Sequence, residues 1–335
     1  MRFFLFLTIL TALLLLSVSV KADNKNRILI ATSGTTDMAK NGEYVWVSAF
    51  MDSLKKSGLE IGFFPSSVLG KDDARTDMIQ LGVLQMNITG TPEISPYSPY
   101  YKQLERPFLF EDTEHFRNFW TKSKFVEFAN QDIASRNMLI LGYASLGGMS
   151  GLFTTDQRVE KQEDMGGLRI RGMSSLELSI INSWGLHGAQ VAWEEVPQAL
   201  ETGVVEGYLN PPLVPVMFGH TNQIKYFTDI RLHISLRIVV VAKDWYDGLS
   251  PSHRMAVDKA VIFAQEENMG WAKMMHKKEF EILHNAGVDV VELTTEERKK
   301  FVQRTINYLD RKGKAPVSKE VLSWINQTKP REAGK

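Results

Sequence analysis

Short apolar runs alternate with amphipathic segments near the start of the chain. The pattern predicts three strands and two helices in turn: strands over 27–32, 59–64 and 83–88, and helices over 43–56 and 72–81. A Gly/Thr-rich turn follows the first strand, and Gly82 follows the second helix, where glycine often ends helices. Strands that alternate with helices in this way are typical of a parallel sheet covered by helices.

The same alternation returns in the second half of the chain. It predicts strands over 168–171, 189–192 and 204–209, with helices over 175–184 and 194–202. Segments 78–86 and 199–207 nearly superimpose, and each is followed by a proline-containing turn. Two similar α/β lobes imply a cleft between them, and ligands in α/β sheets bind beyond the carboxyl ends of strands. The last third is mostly helical, with 251–286 forming one long helix or two.

The N-terminus gives the compartment. Residues 3–20 are apolar apart from four Ser and Thr residues, and small residues precede a cleavage position after Ala22. This pattern predicts a secretory signal peptide over 1–22, with an uncleaved membrane anchor as the alternative. The chain has no cysteine, which excludes a lipid-anchored lipobox, disulfides and thiol catalysis. Cysteine-free export suits a bacterial periplasmic protein.

Known catalytic motifs are absent from the sequence. It has no dinucleotide-binding or phosphate-binding glycine motif, no nucleophile elbow and no zinc-protease motif. The seven histidines are scattered, so we expect no metal site, no cofactor and no catalysis. Lys+Arg and Asp+Glu are equal at 39 each, so charge gives no indication of a nucleic-acid partner. The glycine-rich segment 147–151 is interpreted as a flexible crossing between lobes.

Arg171 is the strongest candidate for ligand binding. It lies between a predicted strand and a helix that Ser174 and Glu177 open at capping-box spacing. A guanidinium beside unpaired backbone N–H groups makes a site for an anion, most naturally a carboxylate. The alternative is a surface arginine near a helix cap.

Further polar and aromatic residues cluster near the predicted cleft edges. They are Ser33, Thr35, Glu93, Tyr97, Tyr100, Trp193, Tyr208 and Asn210. For each aromatic the alternative is core packing, which is least expected for Trp193 because it lies in a turn. Asn210 precedes a proline after a buried strand, so it is either a turn residue or an amide that hydrogen-bonds a ligand.

Taken in order, several segments resemble the solute-binding proteins of tripartite ATP-independent periplasmic (TRAP) transporters, of the DctP type. The resemblance covers nearly the whole mature chain. Its motifs are FPSSVLG at 64–70, LGVL at 81–84, RPFLF at 106–110, MGGLRIR at 165–171, EVPQALETGVVEG at 195–207 and Asn210-Pro211.

This resemblance implies a two-lobed α/β periplasmic-binding-protein fold, type II-like, with a ligand cleft between lobes and a long connecting helix. We expect lobe I over 23–148 plus 236–276, lobe II over 149–235 plus 277–328, and a frayed tail at 329–335. The resemblance also implies delivery of a small organic acid to membrane permease subunits. It gives Arg171 the salt bridge to the substrate carboxylate, with Asn210 and Trp193 contacting the ligand. We expect a monomer.

Departures from the resemblance bear on the ligand. Gly151 stands where a second arginine is found in sialic-acid binders, Glu93 is near a position that is basic in them, and Gly90 replaces a carboxylate. A sialic acid is therefore disfavoured, and Arg158 is the expected second cation. The hypothesis is a small monocarboxylate, or a zwitterion whose amine meets Glu93.

Three other functions stay open at this point. A two-lobed protein can present its solute to a membrane sensor kinase instead of a permease. An exported α/β enzyme with an unrecognised site and an envelope scaffold protein are further alternatives.

Overall fold

The computed structural model describes residues 26–330. The predicted signal peptide, its cleavage position after Ala22 and residues 331–335 lie outside this range. No helix of the described part is long and apolar enough to cross a membrane.

Regular elements of the described residues alternate along the chain. The strands are β1 (Arg27–Ala31), β2 (Glu60–Phe64), β3 (Met86–Thr89), β4 (Met138–Ser145), β5 (Gly151–Thr154), β6 (Arg169–Gly172), β7 (His187–Gln190), β8 (Gly207–Asn210), β9 (Tyr226–Asp229), β10 (Leu236–Ala242) and β11 (Asp289–Glu292). The helices are α1 (Gly42–Leu54), α2 (Asp72–Gln80), α3 (Thr91–Ile94), α4 (Pro99–Lys102), α5 (Thr113–Lys122), α6 (Phe125–Ile133), α7 (Ser175–Ser183), α8 (Val196–Glu201), α9 (Val214–Phe218), α10 (Lys243–Asp247), α11 (Pro251–His276), α12 (Glu279–Asn285), α13 (Thr295–Arg311) and α14 (Lys319–Gln327).

Two sheets form the centres of two lobes, as predicted. The first has the order β2-β1-β3-β10-β4, with β1, β2 and β3 parallel and β10 antiparallel to both of its neighbours. The second has the order β11-β9-β5-β8-β6-β7 and is mixed, with β5 antiparallel to β8 and β9. In each sheet, one strand is added after the chain has passed through the other lobe. This strand is β10 in the first sheet and β11 in the second.

Apolar side chains cover both faces of the sheets. The first lobe has one large core that includes Trp46, Phe50 and Ile238. In the second lobe the adjacent residues Leu152 and Phe153 belong to different clusters, because successive side chains of a strand point to opposite faces.

Segments 146–150 and 230–235 cross between the lobes side by side. The Leu146 N–H donates to the Ser235 carbonyl at 2.9 Å, and the Ser150 N–H donates to the His233 carbonyl at 2.9 Å. The predicted glycine-rich crossing is confirmed in its position. The link from α11 to α12 is a third connection between the lobes. The segment 251–286, predicted as one long helix or two, forms two helices with a break at 277–278.

One buried amide helps to hold helix α11 against the first lobe. The Nδ2 of Asn268 donates to the carbonyls of Gly42 and Ser145, and its Oδ1 accepts from the Ser145 N–H at 2.7 Å. A buried amide with its polar atoms paired fixes the helix against both α1 and β4.

The structure differs from the sequence-based expectation in two respects. Strands predicted over 83–88 and 204–209 begin only at Met86 and Gly207, because the chain after each helix needs several residues to return to the sheet. Helix α14 packs on the first lobe, where Val321 and Ile325 join the core, whereas the predicted division places 277–328 in lobe II. A single apolar stripe determines that a helix docks, but not on which lobe.

Candidate functional site

Two adjoining cavities of about 160 and 130 Å³ lie between the lobes. Four residues line both of them: Leu146, Met173, Asn210 and Arg237. Because these residues come from both lobes and from a crossing segment, the cavities are parts of one interlobe cleft. Its position confirms the predicted cleft.

Arg171 lies on β6, opposite Tyr208 of β8 in the sheet register. It lines neither cavity itself, but Trp193, which packs on its guanidinium, lines the smaller one. Arg171 is only 3% exposed, and its Nε donates to the Val191 carbonyl at 3.0 Å. Its buried Nη1 donates to no atom of residues 26–330. Burial lowers the pKa of the guanidinium, while Glu177 opposes this effect. A buried donor without an acceptor is unusual in a folded protein, which makes Arg171 a candidate for binding an anion.

A short 3₁₀ turn, Trp193–Glu195, places the Trp193 ring on Arg171. The guanidinium carbon lies 5.6 Å from the ring centre, within range of a cation–π contact. The ring also lines the smaller cavity. It packs edge-on against Tyr208 and Phe218 at centroid distances of 6.0 and 4.9 Å, which fixes its orientation.

Tyr208 supports this ring and does not line either cavity. It is fully buried, and its hydroxyl lies 3.3 Å from Nδ1 of His220. The hydroxyl is therefore occupied inside lobe II, which argues against its predicted contact with the ligand. Leu209 and Asn210, which lie nearer the carboxyl end of β8, line the larger cavity instead.

Asn210 ends β8 and lines both cavities. Its Nδ2 is buried and, like Nη1 of Arg171, has no hydrogen-bond acceptor in the described part of the chain. The proline that follows removes a backbone donor and ends the strand at this point. Arg171 and Asn210 thus lie on adjacent strands of one sheet, and each has a buried donor without an acceptor in residues 26–330.

The facing wall in lobe I is a buried ionic cluster that includes the predicted Ser33. The Ser33 hydroxyl accepts from Nη2 of Arg75 at 2.7 Å and from Nη2 of Arg237 at 2.8 Å. Arg237 also donates to Asp72 at 2.9 Å. Burial works against ionisation of Asp72, but Arg237 and Arg75 outweigh it and lower the pKa of this carboxyl.

Glu43 completes the cluster from the start of α1. Its Oε2 accepts from the Gly34 N–H at 2.8 Å. Its Oε1 lies 3.5 Å from Nε of Arg237 and is buried without a hydrogen bond from any described residue. Burial raises the pKa of this carboxyl, which Arg237 partly offsets. Glu43 lines the smaller cavity and is a residue that sequence reasoning missed.

The family model for bacterial extracellular solute-binding proteins, family 7 (DctP), matches residues 47–314. The chain belongs to the DctP family. It is 28% identical over 248 residues to the C4-dicarboxylate-binding periplasmic protein DctP of Rhodobacter capsulatus, covering 72% of each protein. It is 26% identical to the 2,3-diketo-L-gulonate-binding periplasmic protein YiaO of Escherichia coli, covering 78% of this chain and 80% of that protein.

Solved structures share the fold. A sugar acid binding protein from Advenella mimigardefordensis, in complex with galactonate, superimposes with a TM-score of 0.82 at 19% identity and covers 90% of this chain and 98% of that one. A TRAP solute-binding protein from Shewanella oneidensis with bound succinate gives 0.80 at 16% identity, with the same coverage. The predicted TRAP-type solute-binding protein is thereby confirmed.

Within this DctP-family site, two of the predicted residues stand apart. Arg158 has a 42% exposed side chain and pairs on the surface with Glu160 and with Asp289 of β11, so it is not the second cation. Arg237, by contrast, lines both cavities and contacts Ser33. Glu93 is half-buried beside the ionic cluster but lines neither cavity; burial, with help from Asp72, raises its pKa to about 7.

Gly151 and Gly90, the two glycines predicted to depart from the family pattern, have different surroundings. A Cβ at Gly151 would lie 2.4 Å from the Thr228 carbonyl oxygen and 2.5 Å from the Phe227 ring, so no side chain fits there. A Cβ at Gly90 would meet only Pro92 and, at 3.5 Å, Nη1 of Arg237. Gly90 therefore leaves one face of this guanidinium uncovered toward the larger cavity.

Arg237 had a signal in the sequence. It is the one charge inside the apolar run Leu236–Ala242, where a strand buried on both faces favours apolar residues. An isolated charge in such a run indicates either an error in the strand assignment or a buried functional group.

Proposed function

We propose that this DctP-family protein captures a small carboxylate in the interlobe cleft and delivers it to the membrane subunits of a TRAP transporter. The observation that carries the proposal is the pair of buried, unpaired donors, Nη1 of Arg171 and Nδ2 of Asn210. A buried donor without an acceptor costs about 1–3 kcal/mol, and more for a charged group. In this proposal the ligand carboxylate accepts hydrogen bonds from both donors.

Arg171 is well suited to orient such a ligand. Its Nε is fixed by the Val191 carbonyl and its face by Trp193, so only the remaining nitrogens are free to bind. A guanidinium with a fixed plane pairs with a carboxylate through two parallel hydrogen bonds. A neutral analogue leaves the buried charge unpaired, which explains how the site would reject it.

Relatives support the ligand class. The named relatives bind a C4-dicarboxylate and 2,3-diketo-L-gulonate, and the solved neighbours hold galactonate and succinate. These molecules share a carboxylate and differ in the rest of the structure. The shared group therefore belongs with Arg171, and the variable part with residues that differ between members of the family.

Delivery to a permease, export through a signal peptide cleaved after Ala22 and a monomeric state complete the proposal. A sensor kinase as the recipient, or catalysis in the cleft, has no observation in its favour among the described residues. Closing of the lobes on the ligand follows from the architecture, because the cleft is built from both lobes and their crossing segments.

Ligand that stays with the protein through purification tests the proposal. Native mass spectrometry of protein purified without refolding, followed by denaturation and mass analysis of the released molecule, identifies what the cleft holds. A stoichiometric carboxylate supports the proposal. A neutral solute, or failure of any carboxylate in a broad panel to raise the melting temperature, would count against it.

A further inference from the structure

Two carboxyl groups from opposite lobes line the larger cavity of the cleft. Glu105 ends the 3₁₀ turn Gln103–Glu105 of lobe I, and Glu177 lies in the first turn of α7 in lobe II. Neighbouring side chains fix these positions, because Leu104 packs on the core of the first lobe and Leu176 on that of the second. Closing of the cleft therefore brings two acidic groups closer together.

Glu177 is held in place by the cap of α7. Its Oε2 accepts from the Met173 N–H at 2.6 Å, while the Ser174 hydroxyl accepts from the Glu177 N–H at 3.2 Å. This reciprocal arrangement is a capping box, in which either a glutamate or a glutamine reaches back to the backbone. The side chain thus keeps its place at the cavity wall whether or not it carries a charge.

Glu177 is also the carboxylate that acts most strongly on Arg171. Its charge opposes the effect of burial, which lowers the pKa of the guanidinium, and Glu194 at the smaller cavity acts more weakly. Burial raises the pKa of Glu177, Arg171 opposes this effect, and the charge of Glu105 raises the pKa further. Within the described residues, Arg171 is thus the cation that compensates the Glu177 charge.

A carboxylate bound to Arg171 changes this balance. It adds negative charge beside Glu177, neutralises the guanidinium and displaces water from the cleft, where a low dielectric strengthens the repulsion between like charges. Closing of the lobes brings the charge of Glu105 nearer. All of these effects favour the neutral form of Glu177 over the ionised form, so they favour the uptake of a proton from solvent.

Two other ionisable groups that line the larger cavity do not account for this proton. Nε2 of His233 donates to the Glu105 carbonyl at 3.0 Å, and burial lowers the pKa of this histidine to about 4, so its ring stays neutral near neutral pH. Arg237 is paired with Asp72 at 2.9 Å and keeps its charge.

Elements that pack on α7 place their charges away from Glu177. Nε of Arg304 on α13 donates to the Ser183 carbonyl at the other end of α7. His187 of β7 lies opposite Arg169, at the start of β6. Neither element therefore brings a charged group to the cavity wall beside Glu177.

We propose that Glu177 takes up a proton from solvent when Arg171 binds the ligand carboxylate, and that Glu105 across the cleft favours this uptake. The inference rests on the proposed function, in which Arg171 holds that carboxylate. Binding that takes up a proton weakens as the pH rises. The affinity should therefore fall with increasing pH, by at most about ten-fold per pH unit for one proton.

Calorimetric titration in several buffers measures the proton directly. At about pH 6.5, the observed enthalpy of binding is plotted against the ionisation enthalpy of PIPES, bis-Tris and imidazole buffers, and the slope gives the number of protons taken up. The probes are galactonate, succinate and the acid released from the purified protein. We expect the wild type to take up about 0.3 protons or more for each acid molecule bound.

Two variants locate the proton. Glu177→Gln preserves the capping box, so the fold is retained, and its uptake should fall to about 0.1 proton or less. At about pH 8 it should bind the acid several-fold more tightly than the wild type, because a repelling charge has been removed. Glu105→Gln should reduce the uptake in part. Because the same acid is titrated into each protein, any proton that the acid itself takes up cancels in the comparison.

Glu93→Gln is the matched control. Glu93 has a pKa of about 7 and lines neither cavity, so its removal should leave the proton uptake unchanged. Loss of the uptake in this variant, with the uptake of Glu177→Gln intact, would assign the proton to Glu93 and overturn the inference.

The outcomes separate this inference from the proposed function. If an acid binds and the wild type takes up no proton, or if folded Glu177→Gln takes up as much as the wild type, the role of Glu177 is wrong and the proposed function stands. Should Glu177→Gln fail to fold, unchanged uptake by Glu105→Gln contradicts the inference in its place. If no acid binds and none is released from the purified protein, both proposals fail.

Discussion

Glu279, the first residue of α12, accepts a hydrogen bond at 2.8 Å from the backbone N–H of Gly148 in the crossing segment. The Glu279 side chain is 2% exposed, and its other oxygen lies 3.0 Å from Nδ1 of His276. This contact joins two of the three connections between the lobes. It therefore ties the break between α11 and α12 to the crossing segment.

Substitution at Gly148 should break this link. A Cβ there would lie 2.1 Å from Oε1 of Glu279, so Gly148→Ala must displace a buried carboxylate. We expect a loss of about 1–3 kcal/mol in the free energy of unfolding, measured by urea denaturation. Gly166→Ala is the matched control, because its Cβ would meet nothing closer than 4.0 Å. Equal stability of the two variants would show that the contact has no role in holding the crossing segment.

The long helix α11 contains an exposed glycine at position 270, where a Cβ would have no neighbour within 4 Å. Glycine inside a helix costs stability because it loses more conformational freedom on folding than alanine does. We expect Gly270→Ala to raise the free energy of unfolding by about 0.5–1 kcal/mol, measured by the same denaturation. A decrease would mean that α11 needs flexibility at this point.

Glu93 should give the protein a specific pH dependence. Its pKa is raised from 4.5 to about 7, chiefly by burial and then by Asp72 and Asp73. A carboxyl with a raised pKa contributes stability below pH 4.5, which is lost as the pH rises through about 7. The melting temperature of the wild type relative to Glu93→Gln should therefore fall between pH 4.5 and 7 and level off above. A difference that stays constant or rises with pH contradicts this assignment.

Local rules predicted the lobe II side of the site. Arg171 and Asn210 are residues at the carboxyl ends of two strands, and Ser174 caps α7 as its spacing predicts, accepting from the Glu177 N–H at 3.2 Å. Trp193 stands out because a turn is an unusual place for tryptophan. In each case the few residues on either side along the chain are enough to predict the local structure that positions the side chain.

The lobe I side depends on topology, which local patterns do not encode. Arg237 reaches Ser33 because β10 inserts antiparallel between β3 and β4 after the chain has passed through most of lobe II. Ser33 and Arg237 are 204 positions apart in sequence. Without knowledge of that strand order, Arg158 was as reasonable a second cation as Arg237, and nothing marked Glu43 as more than a charge in the first turn of a helix.

The central claim is that Arg171 holds the ligand carboxylate, and the affinity of one variant tests it most directly. Arg171→Ala and the control Arg169→Ala lie on the same strand, but Arg169 is 53% exposed and pairs with Glu206 on the surface. Isothermal titration calorimetry with the tightest-binding acid should show at least a 30-fold loss for Arg171→Ala, roughly 2 kcal/mol or more, and little change for Arg169→Ala. Unchanged affinity of a folded Arg171→Ala protein would contradict the account.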